Sequence, residues 1–488
     1  MTPQQTLQKY FGFDNFRVGQ LDIINSIISK KDVLAILPTG GGKSICFQIP
    51  GLVMPGTTLV ISPLISLMKD QVDALLKKNI AATYINSSLK KEEKKNRLKQ
   101  LSQQKYKFVY VAPERLQATQ LKKICQQIKI SLVAVDEAHC ISMWGHDFRP
   151  EYTQINQFIN SLPTQPTVAA FTATATQEVR TDIISSLELN QAQVFLNSFK
   201  RDNLSFHATT CHDNFSQELA LFIILKKHLG QAGIIYTTTQ KKAEYVAKLI
   251  KHYWGDDFPI SAYHAGLETK IRAHIQDQFL NNQLRIITAT NAFGMGVDKS
   301  NVRWIIHYQV SGSLENYYQE AGRAGRDQQP ANCYLLFNPA DLEIQKGFVN
   351  KAHPNEDDQL RIHQLAQLQQ VINYTRNNSC RQQFILNYFD EDGEACGQCD
   401  LCQYIQLKPS AADQDYYQFL SQVNLDLKNI VFTKKLMQLL SIHRPLTKDE
   451  FLKIPGVGKG WVERWYNLVS KILEERSNHV HDTQTTYS

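Results

Sequence analysis

From about residue 30 to residue 340 the chain alternates short apolar, β-branched runs with stretches of helical periodicity. The runs Val33–Leu37, Thr58–Ser62, Phe108–Ala112, Leu132–Asp136 and Val168–Phe171 read as buried strands. A second series, Ala232–Tyr236, Arg285–Thr290 and Trp304–Tyr308, follows. Strands that alternate with helices imply parallel sheets. One series makes one lobe, so two predict two α/β lobes joined near Asn197–Phe206. From Lys351 to Tyr388 the pattern turns helical. The stretch from Gln403 is mostly helical too, and its end, Ser477–Ser488, reads as polar and disordered. There is no internal repeat and no low-complexity block.

Composition narrows the class. A chain of 488 residues, 43% hydrophobic and 20% charged, suits a soluble multidomain protein. No apolar run is long enough for a membrane helix, and Met1–Tyr10 lacks the apolar stretch of a signal peptide. The expected place is therefore the cytoplasm, or the nucleus of a eukaryotic cell. The net charge of +7 leans mildly towards polyanions, as many enzymes do. Of nine cysteines, Cys46, Cys125, Cys140, Cys211 and Cys333 lie singly. Cys380, Cys396, Cys399 and Cys402 are grouped as C-x15-C-x2-C-x2-C. A dispersed set plus one tight cluster points to a reducing compartment and a metal site rather than disulfides. Four thiolates complete a tetrahedral zinc shell and leave no open position, so the zinc is expected to be structural.

Val33–Ser44 reads VLAILPTGGGKS, a buried strand running into a Gly-rich loop and then a helix. Thr39, Gly40, Gly41 and Gly42 would let backbone N–H groups close around phosphate oxygens. Lys43 would reach the β- and γ-phosphates of ATP, and Ser44 would ligate magnesium. The strict phosphate-loop pattern asks for Gly where this chain has Leu37, so the segment alone also fits an ordinary Gly-rich turn. Leu132–Cys140, LVAVDEAHC, adds Asp136 to hold magnesium and Glu137 to polarise the attacking water. In Tyr318–Asp327, YQEAGRAGRD, Arg323 and Arg326 would share one face of a helix and suit the charge on a transferring phosphoryl group. Two arginines on a solvated helix end would look the same, but the flanking glycines argue for close backbone approach.

TGGGKS with DEAH, FTATAT (Phe171–Thr176), ATNAFGMGVDK (Ala289–Lys299) and QEAGRAGRD resembles a superfamily 2 helicase. DEAHCISMWGHDFRPEY (Asp136–Tyr152) narrows the resemblance to the RecQ family, over roughly residues 5–403. It implies two RecA-like motor lobes with parallel sheets, a helical zinc-binding module and a small helical C-terminal region. By that likeness Gln20, assisted by Arg17, would read the adenine edge; the residues alone suggest no more than a surface Gln at a helix start. Ser62, Trp144, His146, Phe148, Arg149, His264 and Arg272 would face DNA, and Asp298 would link DNA position to the ATP cleft. Exposed aromatics stack on unpaired bases and Arg adds charge, although a loop packed on the lobe takes aromatics equally well. Met143 stands where the family usually has Gln, and so loses a polar amide.

The resemblance implies an ATP-dependent DNA helicase moving 3′-to-5′ on single-stranded DNA, in DNA repair or recombination. ATP, Mg2+ and Zn2+ are the implied cofactors, and single-stranded and forked DNA the partners. An RNA helicase shares the nucleotide motifs, and a DNA annealing or scaffolding protein with a vestigial ATPase is the alternative from another class. The expected domains are residues 1–203 and 204–345 for the lobes, 346–405 for the zinc module and 406–488 for the C-terminal region. No winged-helix pattern stands out after Cys402, and the family's usual winged-helix domain is expected to be missing. Pro445–Lys459 is similar to the latter part of an HRDC domain, and Ile454–Gly458 resembles a helix–hairpin–helix turn; a small helical bundle fits equally.

Overall fold

The computed structural model describes residues 1–406, apart from 39, 146, 212, 295–298 and 356–357. Beyond them it describes 418–422, 432–433, 436–437, 440, 445, 447–454 and 457–470. The chain forms two compact units, Met1–Leu401 and Cys402–Ser488.

The first unit holds two sheets. One contains β1 (Val33–Ile36), β2 (Thr57–Ile61), β3 (Ala82–Ile85), β4 (Phe108–Val111), β5 (Ile130–Val135), β6 (Thr167–Thr172) and β7 (Gln193–Leu196), in the order β3-β4-β2-β5-β6-β1-β7. The other contains β8 (Leu204–Thr210), β9 (Gly233–Tyr236), β10 (Ile260–Tyr263), β11 (Ile286–Ala289), β12 (Trp304–His307) and β13 (Ala331–Phe337), ordered β10-β11-β9-β12-β13-β8. Every pairing in both sheets is parallel. These are the two parallel-sheet lobes that the alternating pattern implies, and the RecA-like pair that the family resemblance implies. The central strands β1, β2, β4, β6, β9, β11 and β12 are buried along their whole length, which is why they read as unbroken apolar runs.

The strands absent from the apolar pattern are the two outer strands of each sheet's edges and β13. β7 alternates half-buried and exposed positions, with Val194 44% and Leu196 54% exposed. In the second sheet Trp304 is fully buried and lies against Gly233 of the neighbouring strand. A Cβ on Gly233 would come within 2.0 Å of the indole, so only glycine fits there.

Helices Ala340–Ala352, Gln359–Arg376 and Arg381–Tyr388 follow the second sheet. The segment after them covers the outer edge of β8. Gln398 donates its amide to the Asp202 and Leu204 carbonyls, and Asp400 accepts from Ala208 N–H. An edge strand's unpaired backbone is satisfied in this way.

In the second unit Leu420, Phe432, Leu436, Leu440, Phe451 and Val469 share a core, with Trp461 stacked on Phe451. The helix Lys448–Lys453 opens on a capping box between Thr447 and Glu450. Pro455 and Gly456 of the expected hairpin turn, and the tail 477–488, lie outside the described residues. Among the described residues no helix is long and apolar enough to cross a membrane.

Candidate active site

The Gly-rich loop leaves β1 and turns into the helix Lys43–Val53. Gly40 and Gly42 hold φ of 82° and 81°, a region that disfavours side chains. A Cβ at Gly42 would also meet the Gln20 amide at 2.4 Å. Gln20 Nε2 donates to the Gly41 and Gly42 carbonyls at 3.2 and 3.3 Å, and Arg17 donates to the Gly40 carbonyl. The two residues thus brace the loop from outside. Lys43 Nζ donates to the Leu37 carbonyl at 3.3 Å. Leu37 is fully buried, and its N–H pairs with Thr172, so it prolongs β1 where the strict pattern has Gly.

Asp136 and Glu137 follow β5, beside β6. Ser62 Oγ lies 3.4 Å from Asp136 Oδ2, and Tyr152 donates to the Asp136 carbonyl. Burial, reinforced by the Glu137 charge, raises the Asp136 carboxyl above its usual range, and Lys43 opposes the shift. Glu137 is buried at φ 47°, an uncommon conformation for a non-glycine residue. Its Oε2 is 3.5 Å from His139 Nδ1, which lies 2.8 Å from Thr172 Oγ1 of the FTATAT segment.

The helix Leu314–Ala321 ends before the two arginines, so they do not share a helix face. Gly322 to Asp327 form successive turns instead. Arg323 is 6% exposed and donates to the Gly294 carbonyl. Arg201, from the segment joining the sheets, donates to the carbonyls of Gly322, Ala324 and Gly325 and props the turn.

A cleft of about 450 Å³ brings these parts together. Its walls include Arg17, Gln20, Gly40–Ser44, Asp136 and Glu137 from the first lobe, and Arg323 and Arg326 from the second. Gln71, Asn15 and Ser300 also line it, and nothing in the sequence singles these out. Thr39 and Asp298 lie outside the described residues.

The aromatic-rich loop follows the acids. Trp144 meets His363 of the helix Gln359–Arg376 edge-on, with ring centroids 5.2 Å apart. Arg149 pairs with Asp147 at 2.8 Å and also donates to the Pro63 carbonyl. Phe148 is half-buried, Met143 is 46% exposed, and His146 lies outside the described residues. Ser62 is buried beside Asp136 rather than on an open surface. In the second lobe His264 is buried, 3.1 Å from Glu244, and Arg272 is half-buried beside Thr269. Neither lines the cleft.

Cys380, Cys396, Cys399 and Cys402 bring their Sγ atoms within 4.8 Å of one another. Backbone N–H groups of Arg381, Gln383, Cys396 and Cys399 point at the sulfurs, at 3.2 to 3.5 Å. Such donors suit thiolates, and four grouped thiolates need a cation. The cluster therefore fits zinc. The hydrogen bond from Cys399, then burial, drives the Cys396 thiol far up, a shift that a bound cation would reverse. Arg381 forms a bidentate pair with Asp400 behind the cluster, at 2.9 and 3.2 Å.

Residues 17–182 match the DEAD/DEAH box helicase family, residues 214–328 the helicase conserved C-terminal domain, and residues 339–403 the RecQ zinc-binding family. The chain is 43% identical over 401 residues to ATP-dependent DNA helicase RecQ of Bacillus subtilis (strain 168), covering 82% of this chain. It spans 66% of the length of that relative. It is 44% identical over 349 residues to "Probable ATP-dependent DNA helicase RecS" of the same organism, covering 71% of this chain and 69% of that one. Among solved structures, Mss116p bound to single-stranded RNA and AMP-PNP shares the fold. The TM-score is 0.60 at 17% identity, over 88% of this chain and 93% of the other.

Proposed function

This chain belongs to the RecQ family of helicases, and from that membership we propose that it is an ATP-driven DNA motor moving 3′-to-5′ along single-stranded DNA, in repair or recombination. One observation carries the reading. A single cleft is walled by Lys43, Asp136 and Glu137 from one lobe and by Arg323 and Arg326 from the other. A nucleotide held there would touch both lobes, so its hydrolysis would open and close the gap between them. The proposed division is 1–203, 204–345, 346–405 and 406–488.

The loop amides of Gly40–Gly42 and the Lys43 ammonium cradle the phosphates. Ser44 and Asp136 would hold Mg2+, which when bound neutralises phosphate charge and so favours transfer to water. Glu137 takes the proton of the attacking water, and His139 orients it against Thr172. Arg323 and Arg326 stabilise the negative charge that develops on the phosphoryl group. Gln20 and Arg17 keep the loop in register and present an amide and a guanidinium where a base would lie. Single-stranded and forked DNA are the proposed partners, with Trp144, Phe148 and Arg149 sensing occupancy next to Glu137.

Measuring ATP hydrolysis alone, with single-stranded DNA and with single-stranded RNA tests the reading. Strong stimulation by DNA is expected. Stimulation by RNA alone would favour an RNA helicase, and no hydrolysis under any condition would favour an annealing or scaffolding protein.

A further inference from the structure

We propose that Phe389, Asp390 and Glu391, at the end of the zinc module's last helix in the first unit, form a strap that holds the two motor lobes at the spacing required for ATP binding. The inference rests on the helicase reading and concerns the control of its cleft.

The helix Arg381–Tyr388 ends in a left-handed turn, with Asp390 at φ 61° and Glu391 N–H bonded to the Leu386 carbonyl at 3.0 Å. Glycine suits that position best, and an aspartate there carries a conformational cost. What the carboxylate touches gives it a use. Asp390 Oδ2 accepts from Gln177 N–H at 3.1 Å and pairs with Arg180 at 2.9 Å. Both partners are in the first turn of the helix Gln177–Ser186, whose positive end favours an anion. That helix starts directly after the FTATAT segment, whose Thr172 meets His139 beside Glu137.

The next residue grips the segment between the lobes. Glu391 accepts from Phe199 N–H at 2.7 Å and from Ser198 Oγ. Phe389 stacks on Phe199, with centroids 4.3 Å apart. The Phe199 carbonyl in turn accepts from Tyr318 Oη at 2.5 Å, on the helix that leads to Arg323. Three consecutive residues therefore reach the first lobe, the connecting segment and the second lobe. The cleft depends on both lobes being held together, because its arginines come from one lobe and its phosphate loop from the other.

A protein held with its lobes together binds ATP without first ordering them, so releasing the strap lowers the fraction ready to bind. Two variants test this. Asp390→Gly suits the positive φ and removes the carboxylate, and Glu391→Ala removes both acceptors for the connecting segment. Steady-state ATP hydrolysis by the full chain is measured with saturating single-stranded oligonucleotide, alongside zinc content and Tm. In each variant KM for ATP is expected to rise about five-fold, with kcat within about two-fold and with zinc and Tm retained. An unchanged KM in both variants overturns the strap and leaves the helicase reading standing. A raised KM accompanied by zinc loss in both also overturns it, since the effect would then be unfolding of the module. Absence of ATP hydrolysis by the unaltered protein overturns the helicase reading, and the strap with it.

Discussion

Trp144 and His363 bind the aromatic-rich loop to the zinc module: His363 Nε2 lies 2.9 Å from the Trp144 carbonyl while the two rings meet edge-on. The loop begins within seven residues of Glu137 and is held by a helix more than 200 residues away in sequence. DNA that engages the indole must compete with this contact. Trp144→Ala and Arg149→Ala are therefore expected to keep basal ATP hydrolysis within about two-fold while DNA stimulation falls about ten-fold. Stimulation equal to the unaltered protein in both variants would reduce the loop to packing.

Lys43 is half-buried in the loop, and its ammonium rests on the Leu37 carbonyl. Lys43→Ala is expected to lower ATP hydrolysis by at least about 100-fold, the order seen when one charge-stabilising group is lost. Binding of single-stranded DNA, measured by fluorescence anisotropy, should be largely intact. Turnover at the unaltered rate would sink the nucleotide-site assignment.

Zinc should be present at one ion per chain in purified protein. Cys399 is fully buried among the four thiols, so Cys399→Ser is expected to lose the ion and lower the melting temperature, because ion binding contributes folding free energy. Elemental analysis showing no zinc, or zinc undiminished in the variant, would refute the four-thiolate site.

Gly233→Ala tests the core of the second lobe. Its new methyl would drive into the Trp304 ring, which is fully enclosed and has no room to turn away. The expected loss is about 3 kcal/mol, at the upper end for overpacking, read from urea unfolding. A loss below about 0.5 kcal/mol would mean that the strands part more easily than their burial implies.

His228 gives a pH signature. Burial lowers its pKa from 6.5, and nearby Lys227 adds to the shift while a hydrogen bond to Gln231 opposes it. Its ring lies 2.9 Å from Tyr334 Oη. The folded state then binds fewer protons than the unfolded one between the lowered value and 6.5. Stability contributed by neutral His228 is present above that window and is lost as pH falls through it. His228→Gln should show a shallower loss of urea resistance than the unaltered protein between about pH 7.5 and about pH 5.5. Parallel curves would remove His228 as the cause.

Strands buried on both faces were legible because burial demands an unbroken apolar run, as in Val33–Ile36 and Thr167–Thr172. Gln193–Leu196 was not, because one of its faces meets solvent and its run is short and mixed. The cysteine spacing announced a four-thiol cluster, since short loops between ligands leave little freedom. The arginine turn did not announce its shape: Gly322 and Gly325 end the helix that a simple spacing argument continues. Gln20 and Arg17 were legible through the family resemblance alone, and their grip on the loop carbonyls depends on tertiary folding. Asp390 and Glu391 left no mark beyond two acids after a helix, because their partners are about 190 to 210 residues distant.

All-parallel pairing also sets a schedule for synthesis. β1, the strand that carries the phosphate loop, pairs with β6 and β7 and with no strand made sooner. On the order of 130 residues must leave the ribosome after Ile36 before Thr167 can dock, which at about 5–20 residues per second takes roughly 7 to 26 seconds. Throughout that interval Val33–Ile36 is a bare apolar strand with both edges open. Cover of exposed apolar chain during translation is therefore expected to matter more for this N-terminal segment than for β2 to β4, which pair within about 50 residues of chain.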